Sequence, residues 1–174
     1  SVRLAVFVSG TVLLALLSRR SLLSIHSHGF YRFFVFEAIL ALNVAAGWDD
    51  FRASLSLYGA PAQNFVYADV NGHVGYQLPG YVPIRSDPAD RGDRPVSGSD
   101  GSGEWTGRIA YADLPARLDP SEGWFVTANN AIVDEAYPAF LAQEWDPGYR
   151  AERVIDLINA YADDGVTVEE MGMI

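Results

Sequence analysis

The sequence predicts a mixed α+β fold, because segments with strand-like and helix-like patterns follow one another along a chain of 174 residues. The pair Asn71-Gly72 separates two β-prone runs, and such a pair is the strongest short-range sign of a β-hairpin. Residues 124–128 combine aromatic and β-branched side chains, as a buried strand does. Further along, four apolar residues recur at helical spacing: Ala151, Val154, Ile155 and Ile158.

Composition and charge exclude several kinds of partner and chemistry. The chain has 22 acidic and 12 basic residues, and every basic residue is Arg. A net charge of −10 argues against nucleic acid as a partner, because phosphate binding requires a basic surface. The absence of Cys excludes disulfides and thiolate chemistry but leaves the cellular compartment open. The three His form no zinc-type ligand set with Cys.

The uneven distribution of charge divides the chain into residues 1–35 and a predicted domain over residues 36–174. Every acidic residue lies in the second part. The apolar run from Leu4 to Leu17 is shorter than the roughly 20 residues of a membrane span and is closer in length to the apolar region of a signal sequence. Two interpretations of residues 1–35 stay open: a truncated or frameshifted end, or a membrane- or signal-like helix.

Two helices are predicted at the start of the domain. The first covers residues 36–46 and ends at Gly47. Its inward positions are predicted to be Ile39, Leu40 and Val44. The second helix is predicted to begin with Asp49 as its N-cap and to end at residues 59–61, a Gly-Ala-Pro sequence. Its apolar face is formed by Phe51, Leu55 and Tyr58.

The middle of the domain is predicted to contain the hairpin and a long loop. The hairpin covers residues 64–78, with one strand on each side of the Asn-Gly turn. Residues 82–104 are rich in Asp, Arg, Pro, Gly and Ser and are predicted to be a loop. A short extended piece follows over residues 105–111.

The last part of the chain is predicted to be helical. Asp146 is expected to be the N-cap of a helix that has Pro147 in its first position and that ends at Gly165. Thr167 and Glu170 have the spacing of a capping box at the start of another helix. Because the sequence stops one turn after this box, we expect the chain to be a fragment.

Asn129 and Asn130 end the predicted strand at residues 124–128, and Arg150 follows 21 residues after Asn129. Side-chain amides at the end of a strand, beside a guanidinium, are donors that can face developing negative charge. A strand-end Asn is also a common turn former, and an Arg early in a helix is often a surface charge. The residues alone therefore leave both interpretations open.

Six stretches of the sequence follow the order and spacing of one known family. They are residues 60–76 (APAQNFVYADVNGHVGY), 94–96 (RPV), 104–107 (EWTG), 123–130 (GWFVTANN), 137–138 (YP) and 145–150 (WDPGYR). Together they resemble the catalytic β-chain of the penicillin acylases, which are N-terminal-nucleophile hydrolases of the penicillin amidase type. Residues 1–35 do not match. The resemblance implies that the chain is part of a four-layer αββα fold.

The resemblance also implies a mechanism and its residues. In this family the precursor cleaves itself to expose an N-terminal Ser, whose own α-amino group acts as the base and whose oxygen forms an acyl-enzyme. Asn129 is then the expected oxyanion donor, and Arg150 is expected to hold Asn129 and the amino end of the nucleophile in place. Asn130 is expected to be a turn residue or a residue that supports the site without touching the substrate. Ser1 lacks the following Asn that is general in the family, so we expect the nucleophile to be absent from this chain and the chain alone to be inactive.

The function implied by the resemblance is hydrolysis of linear amides, either penicillin-type amides or the acyl amides of N-acyl-homoserine lactones. The implied partners are a small-molecule amide substrate and an α-chain from the same precursor, and the implied location is periplasmic or secreted. The competing hypothesis from the sequence is a non-catalytic acidic module that residues 4–17 tether to a membrane.

No cofactor for the chemistry is implied, but members of this family hold a structural calcium ion. One of the expected ligands is a carboxylate shortly after the Tyr137-Pro138 pair, where this sequence continues with Ala-Phe-Leu. The acids that could replace it are Asp134, Glu135 and Glu144. Solvated surface positions are the alternative interpretation of the same three residues.

Overall fold

The structure is a computed structural model, and it describes residues 35–87, 89–101, 103–161 and 167–172. The apolar run, Ser1 and Gly165 lie outside the described residues. The helices are α1 (residues 35–42), α2 (Trp48–Leu55), α3 (Tyr149–Tyr161) and α4 (Val168–Met171). The strands are β1 (Phe65–Ala68), β2 (Val74–Gln77), β3 (Pro83–Arg85), β4 (Trp105–Arg108) and β5 (Ala116–Leu118). The predicted α+β class is confirmed.

The predicted hairpin lies in a three-stranded antiparallel sheet with the order β1-β2-β5. Ala68 lies opposite Val74 at the end of the hairpin that carries the turn. Within the turn, Gly72 has a φ of 89°, which Gly adopts without steric cost, and its N–H donates to the carbonyl of Asp69 at 3.2 Å. The hairpin is therefore confirmed, with a turn longer than a two-residue Asn-Gly loop.

A second antiparallel sheet contains β3 and β4. β4 lies within the extended piece predicted at residues 105–111, which is confirmed. β3 lies in the stretch predicted to be a loop, and β5 of the first sheet was also not predicted. Each of these two strands has three residues, which are too few to show an alternating pattern in the sequence.

The core lies where α1 and α2 meet the first sheet. Its buried members are Ala38, Phe51, Leu55 and Tyr58. Aromatic rings continue it into the hairpin, since the Phe51 ring lies 5.1 Å from that of Tyr67 and the Tyr58 ring lies 5.2 Å from that of Phe65. The apolar face predicted for the second helix is confirmed.

Helix α1 turns a different face inward from the one predicted. Ile39, Leu40 and Val44 are 42, 51 and 80% exposed, so their prediction as inward residues is wrong. Ala38 is fully buried instead, and Leu42 packs against the core. Both sets have helical spacing, and the sequence alone does not show which of them meets α2. The small side chain of Ala38 leaves room for the second helix to come close.

Both helix starts that were predicted from an Asp cap are displaced. Gly47 is the N-cap of α2, and Asp49 lies within the first turn. Helix α3 begins at Tyr149, three residues after Asp146. An Asp is favourable at several positions near the start of a helix, so its presence does not determine the first residue. The capping box predicted for the last helix is confirmed, because both of its reciprocal hydrogen bonds are present in α4.

Residues 124–128 do not form the predicted strand. None of the strands in the described part of the chain pairs with them, although their side chains are half-buried from Trp124 to Val126. The Phe125 ring packs 5.7 Å from the ring of Tyr76. Bulky side chains indicate burial, but a strand also needs a hydrogen-bonded neighbour, which the pattern does not reveal. The segment therefore reaches Asn129 as irregular backbone.

Gly75 lies in β2 beneath the indole ring of Trp48, which also stacks on Phe51 at 5.5 Å. A Cβ atom at this position would overlap the indole ring. We expect Gly75→Ala to lower the free energy of unfolding by about 1–3 kcal/mol through overpacking, as measured by urea denaturation. Gly107→Ala in β4 is the matched control, because its nearest heavy atom would lie at 3.9 Å. Equal stability of the two variants would contradict this packing.

Candidate active site

Asn129 stands at a sharp change of backbone direction between the irregular segment and helix α3. Its φ is 64°, in the left-handed region that Asn tolerates better than most residues. Its carbonyl accepts a hydrogen bond of 2.8 Å from the N–H of Asp146. This bond ties the residue to the segment that leads into α3, while its side chain stays exposed to solvent.

Arg150, the second residue of α3, brings its guanidinium onto this turn. The Nη2 atom donates to the carbonyl of Ala128 at 2.6 Å and to Oδ1 of Asn129 at 2.7 Å. A guanidinium can only donate, so the atom of the Asn129 amide that faces it must be the oxygen. The Nδ2 group is thereby left to donate elsewhere, and it has no acceptor among the described residues. The predicted pair of site residues is in direct contact.

Asn130 uses both ends of its side chain within the turn. Its Oδ1 accepts from the N–H of Ala128 at 2.9 Å, and its Nδ2 donates to the carbonyl of Ala131 at 3.1 Å. These are the contacts of a turn residue. The two neighbouring amides therefore differ: Asn130 uses both its oxygen and its nitrogen within the turn, whereas the Nδ2 group of Asn129 donates to none of the described residues.

Asp146 completes the group, and sequence reasoning missed its contact with Arg150. Its Oδ2 lies 3.3 Å from Nε and 3.2 Å from Nη2 of Arg150. The signal was present in the sequence, because an Asp four residues before an Arg has the spacing of an intrahelical ion pair. The contact was missed because an N-cap carboxylate is expected to accept hydrogen bonds from backbone N–H groups of the helix and not from an Arg side chain.

An open groove of about 540 Å³ lies on the Asn130 side of the turn, between the first sheet and residues 124–133. Its lining includes Tyr76, Trp124, Phe125 and Tyr137. Burial raises the pKa of Tyr76, so its hydroxyl stays neutral and donates to Asn64 Oδ1. Neither Asn129 nor Arg150 lines this groove, so the donor of Asn129 belongs to a different surface.

The acids considered for calcium do not form a metal site in this part of the chain. Asp134 accepts the N–H of Ala136 at 3.0 Å, and Glu135 and Glu144 are exposed. Within the described ranges no group of three or more acidic or His side chains is arranged to hold a metal ion. Calcium takes six to eight oxygen ligands, so these three acids alone do not complete a calcium site.

Comparison with known proteins places the chain in a family. The sequence profile of the penicillin amidase family ("Penicillin amidase") matches residues 20–174. A penicillin acylase 2 proenzyme of Pseudomonas sp. strain SE83 is 38% identical over 103 residues, which are 59% of this chain and 13% of that protein. An acyl-homoserine lactone acylase (QuiP) of Pseudomonas fluorescens is 33% identical over 139 residues, which are 78% of this chain and 16% of that protein.

A solved structure agrees with these sequence matches. The thermostable penicillin G acylase from Alcaligenes faecalis superimposes with a TM-score of 0.61 and 29% identity, over 80% of this chain and 24% of that one. The chain thus spans less than a fifth of the two named relatives and about a quarter of the solved chain. Its fold is that of part of an N-terminal-nucleophile hydrolase. On the profile match and these similarities, the chain belongs to the penicillin amidase family.

Proposed function

We propose that this chain supplies the oxyanion-binding part of the active site of an amidohydrolase that cleaves linear amides. The observation that carries the proposal is the contact of 2.7 Å between Arg150 and Asn129. It fixes the side-chain oxygen of Asn129 and leaves its NH₂ group as a held donor. A donor held before the reaction stabilises the transition state without having to reorganise during it.

In the proposed reaction, the hydroxyl of an N-terminal Ser attacks the carbonyl of the amide, and the α-amino group of the same Ser takes its proton. The Nδ2 group of Asn129 donates to the negatively charged oxygen of the tetrahedral intermediate. The intermediate collapses, the amine leaves with the proton, and water then releases the acid from the acyl-enzyme. We propose that the nucleophile is supplied by a part of the protein outside residues 1–174.

The proposed substrates are acyl amides, either of penicillin type or of N-acyl-homoserine lactones. The names of the relatives support this class, because they are penicillin acylases and acyl-homoserine lactone acylases. One relative is named a proenzyme, which supports an α-chain from the same precursor as a partner. A periplasmic or secreted location is part of the same proposal. None of the described helices has the length and apolar character needed to cross a membrane.

The test uses the complete processed protein that contains this chain and two chromogenic substrates, the nitroanilides of phenylacetic acid and of dodecanoic acid. We expect release of nitroaniline from at least one of them, with kcat normalised to the fraction of molecules that carry a free N-terminal Ser. That fraction is measured by mass spectrometry of the intact chains. The Asn129→Gly protein, processed to the same extent, is the negative control.

Failure of the processed protein to hydrolyse either nitroanilide or an N-acyl-homoserine lactone would overturn the proposal. That outcome would favour the competing hypothesis of a non-catalytic module tethered by residues 4–17, which lie outside the described residues. Sedimentation with membranes, abolished by removal of residues 4–17, would then distinguish the tethered module from an inactive enzyme.

A further inference from the structure

We propose that Asp146 is a positioning residue for the oxyanion donor and acts through Arg150. The inference rests on the proposed function, because it concerns the geometry of the same site. Its basis is a closed ring of contacts among three residues, Asn129, Arg150 and Asp146. In this ring Asp146 contacts each of the other two, one through its backbone and one through its side chain.

The backbone contact holds the turn. The N–H of Asp146 donates to the carbonyl of Asn129 at 2.8 Å, directly at the residue whose backbone is left-handed. The side-chain contact holds the guanidinium, because Oδ2 of Asp146 lies within 3.3 Å of both Nε and Nη2 of Arg150. Nη2 is the atom that also binds Oδ1 of Asn129. The carboxylate therefore anchors the group that orients the amide.

The carboxylate does not act as a cap of helix α3. The first helical hydrogen bond runs from the N–H of Glu152 to the carbonyl of Gly148, two residues after Asp146. Oδ1 of Asp146 accepts the N–H of Gly148 at 3.1 Å and closes a local turn. Oδ2 has no backbone donor within the described part of the chain, and Arg150 is its partner.

Differences in burial indicate which residue holds the other. The side chain of Asp146 is 17% exposed, whereas that of Arg150 is 47% exposed. A long, half-exposed Arg can adopt many rotamers, and a short carboxylate fixed beside it restricts them. Without the carboxylate, the Ala128 carbonyl would be the one remaining described anchor that holds Nη2 against Oδ1 of Asn129, so the guanidinium and the amide would be less firmly oriented. The effect should therefore appear in catalysis more than in folding.

The test compares Asp146→Asn with the unsubstituted protein in the nitroanilide assay, using the complete processed enzyme. The substituted side chain keeps an oxygen for the N–H of Gly148 but removes the charge that holds Arg150. We expect kcat to fall by roughly tenfold to a hundredfold, as small misplacements of reacting groups do, with KM changed by less than about twofold. Asp156→Asn, at an exposed position in helix α3, is the control and should leave both constants unchanged.

A second comparison separates positioning from a merely structural role. If Asp146 acts through the amide of Asn129, then Asp146→Asn should lower kcat by less than about twofold in an Asn129→Gly background, because the group it positions is already gone. Equal losses in the two backgrounds would overturn the inference, as would an unchanged kcat in the single variant.

Failure of this inference can be distinguished from failure of the proposed function. If Asn129→Gly and Arg150→Lys lose activity while Asp146→Asn does not, the oxyanion assignment stands and Asp146 has no positioning role. If Asn129→Gly and Arg150→Lys both keep full activity, the oxyanion assignment is wrong, and the inference about Asp146 is overturned with it.

Discussion

Asn129→Gly is expected to lower kcat for amide hydrolysis by about two to three orders of magnitude, which corresponds to about 3 kcal/mol of transition-state stabilisation. The reason is the loss of the NH₂ group that Arg150 leaves as a donor. KM should change little, because the negative oxygen exists only in the tetrahedral intermediate. The measurement is steady-state hydrolysis of the nitroanilide by processed enzyme.

The choice of Gly removes an ambiguity that Asn129→Ala would leave. At a φ of 64°, Gly is unstrained, whereas Ala has its Cβ in a disfavoured position. The Gly variant should therefore keep nearly the melting temperature of the unsubstituted protein, because it loses only the solvent-exposed bond to Arg150, so a large fall in kcat reports the lost amide. Asn129→Ala should lose activity to the same extent with a slightly lower melting temperature. Near-normal kcat in the Gly variant would show that this amide is not the oxyanion donor.

Arg150→Lys is expected to lower kcat by about tenfold to a hundredfold although the positive charge is kept. A guanidinium reaches the Ala128 carbonyl, Oδ1 of Asn129 and the Asp146 carboxylate at the same time. A Lys ammonium lacks the planar fork that makes these contacts together. The amide of Asn129 would then be held less firmly in the position where it is proposed to meet the oxyanion, which is the reason for the expected fall in rate.

The control for this variant is Arg153→Lys, three residues further along the same helix. The side chain of Arg153 is exposed and has no hydrogen bond or ion pair with any described residue, so its replacement should leave kcat and the melting temperature unchanged. A parallel fall in both proteins would show a general effect of replacing Arg in α3. An Arg150→Lys protein with full activity would mean that charge near Asn129 is sufficient and that the fork is not required.

Sequence patterns predicted those elements whose signals are local. The Asn71-Gly72 turn, the apolar face of α2 and the capping box of α4 each depend on residues within a few positions, and all three are confirmed. The face of α1 and the strand at residues 124–128 depend on which distant segment packs against them. Both predictions were wrong. Periodic or bulky apolar residues indicate burial, but they do not show which segment packs against them or pairs with them.

The candidate site also depends on contacts between distant segments, which sequence patterns do not predict. Asn129 and Arg150 are 21 residues apart, and no helix or strand periodicity predicts contact at that separation. Their pairing was expected from the family resemblance. The structure brings the two side chains into contact at 2.7 Å. Asp146 was assigned to the helix because an acid near a helix start usually is. Its contact with Arg150 depends on the orientation of the turn, which the sequence pattern does not specify.

The left-handed backbone of Asn129 limits which residues can replace it during evolution. Gln carries the same amide, but it is poorly tolerated at a φ of 64° and would place the amide one methylene further from the backbone. Gly fits the backbone and lacks the amide, and Asp fits the backbone but would present a negative charge to the oxyanion. If Asn129 has the proposed role, no substitution at position 129 is neutral: a change that suits the backbone removes the donor, and a change that keeps the donor strains the backbone.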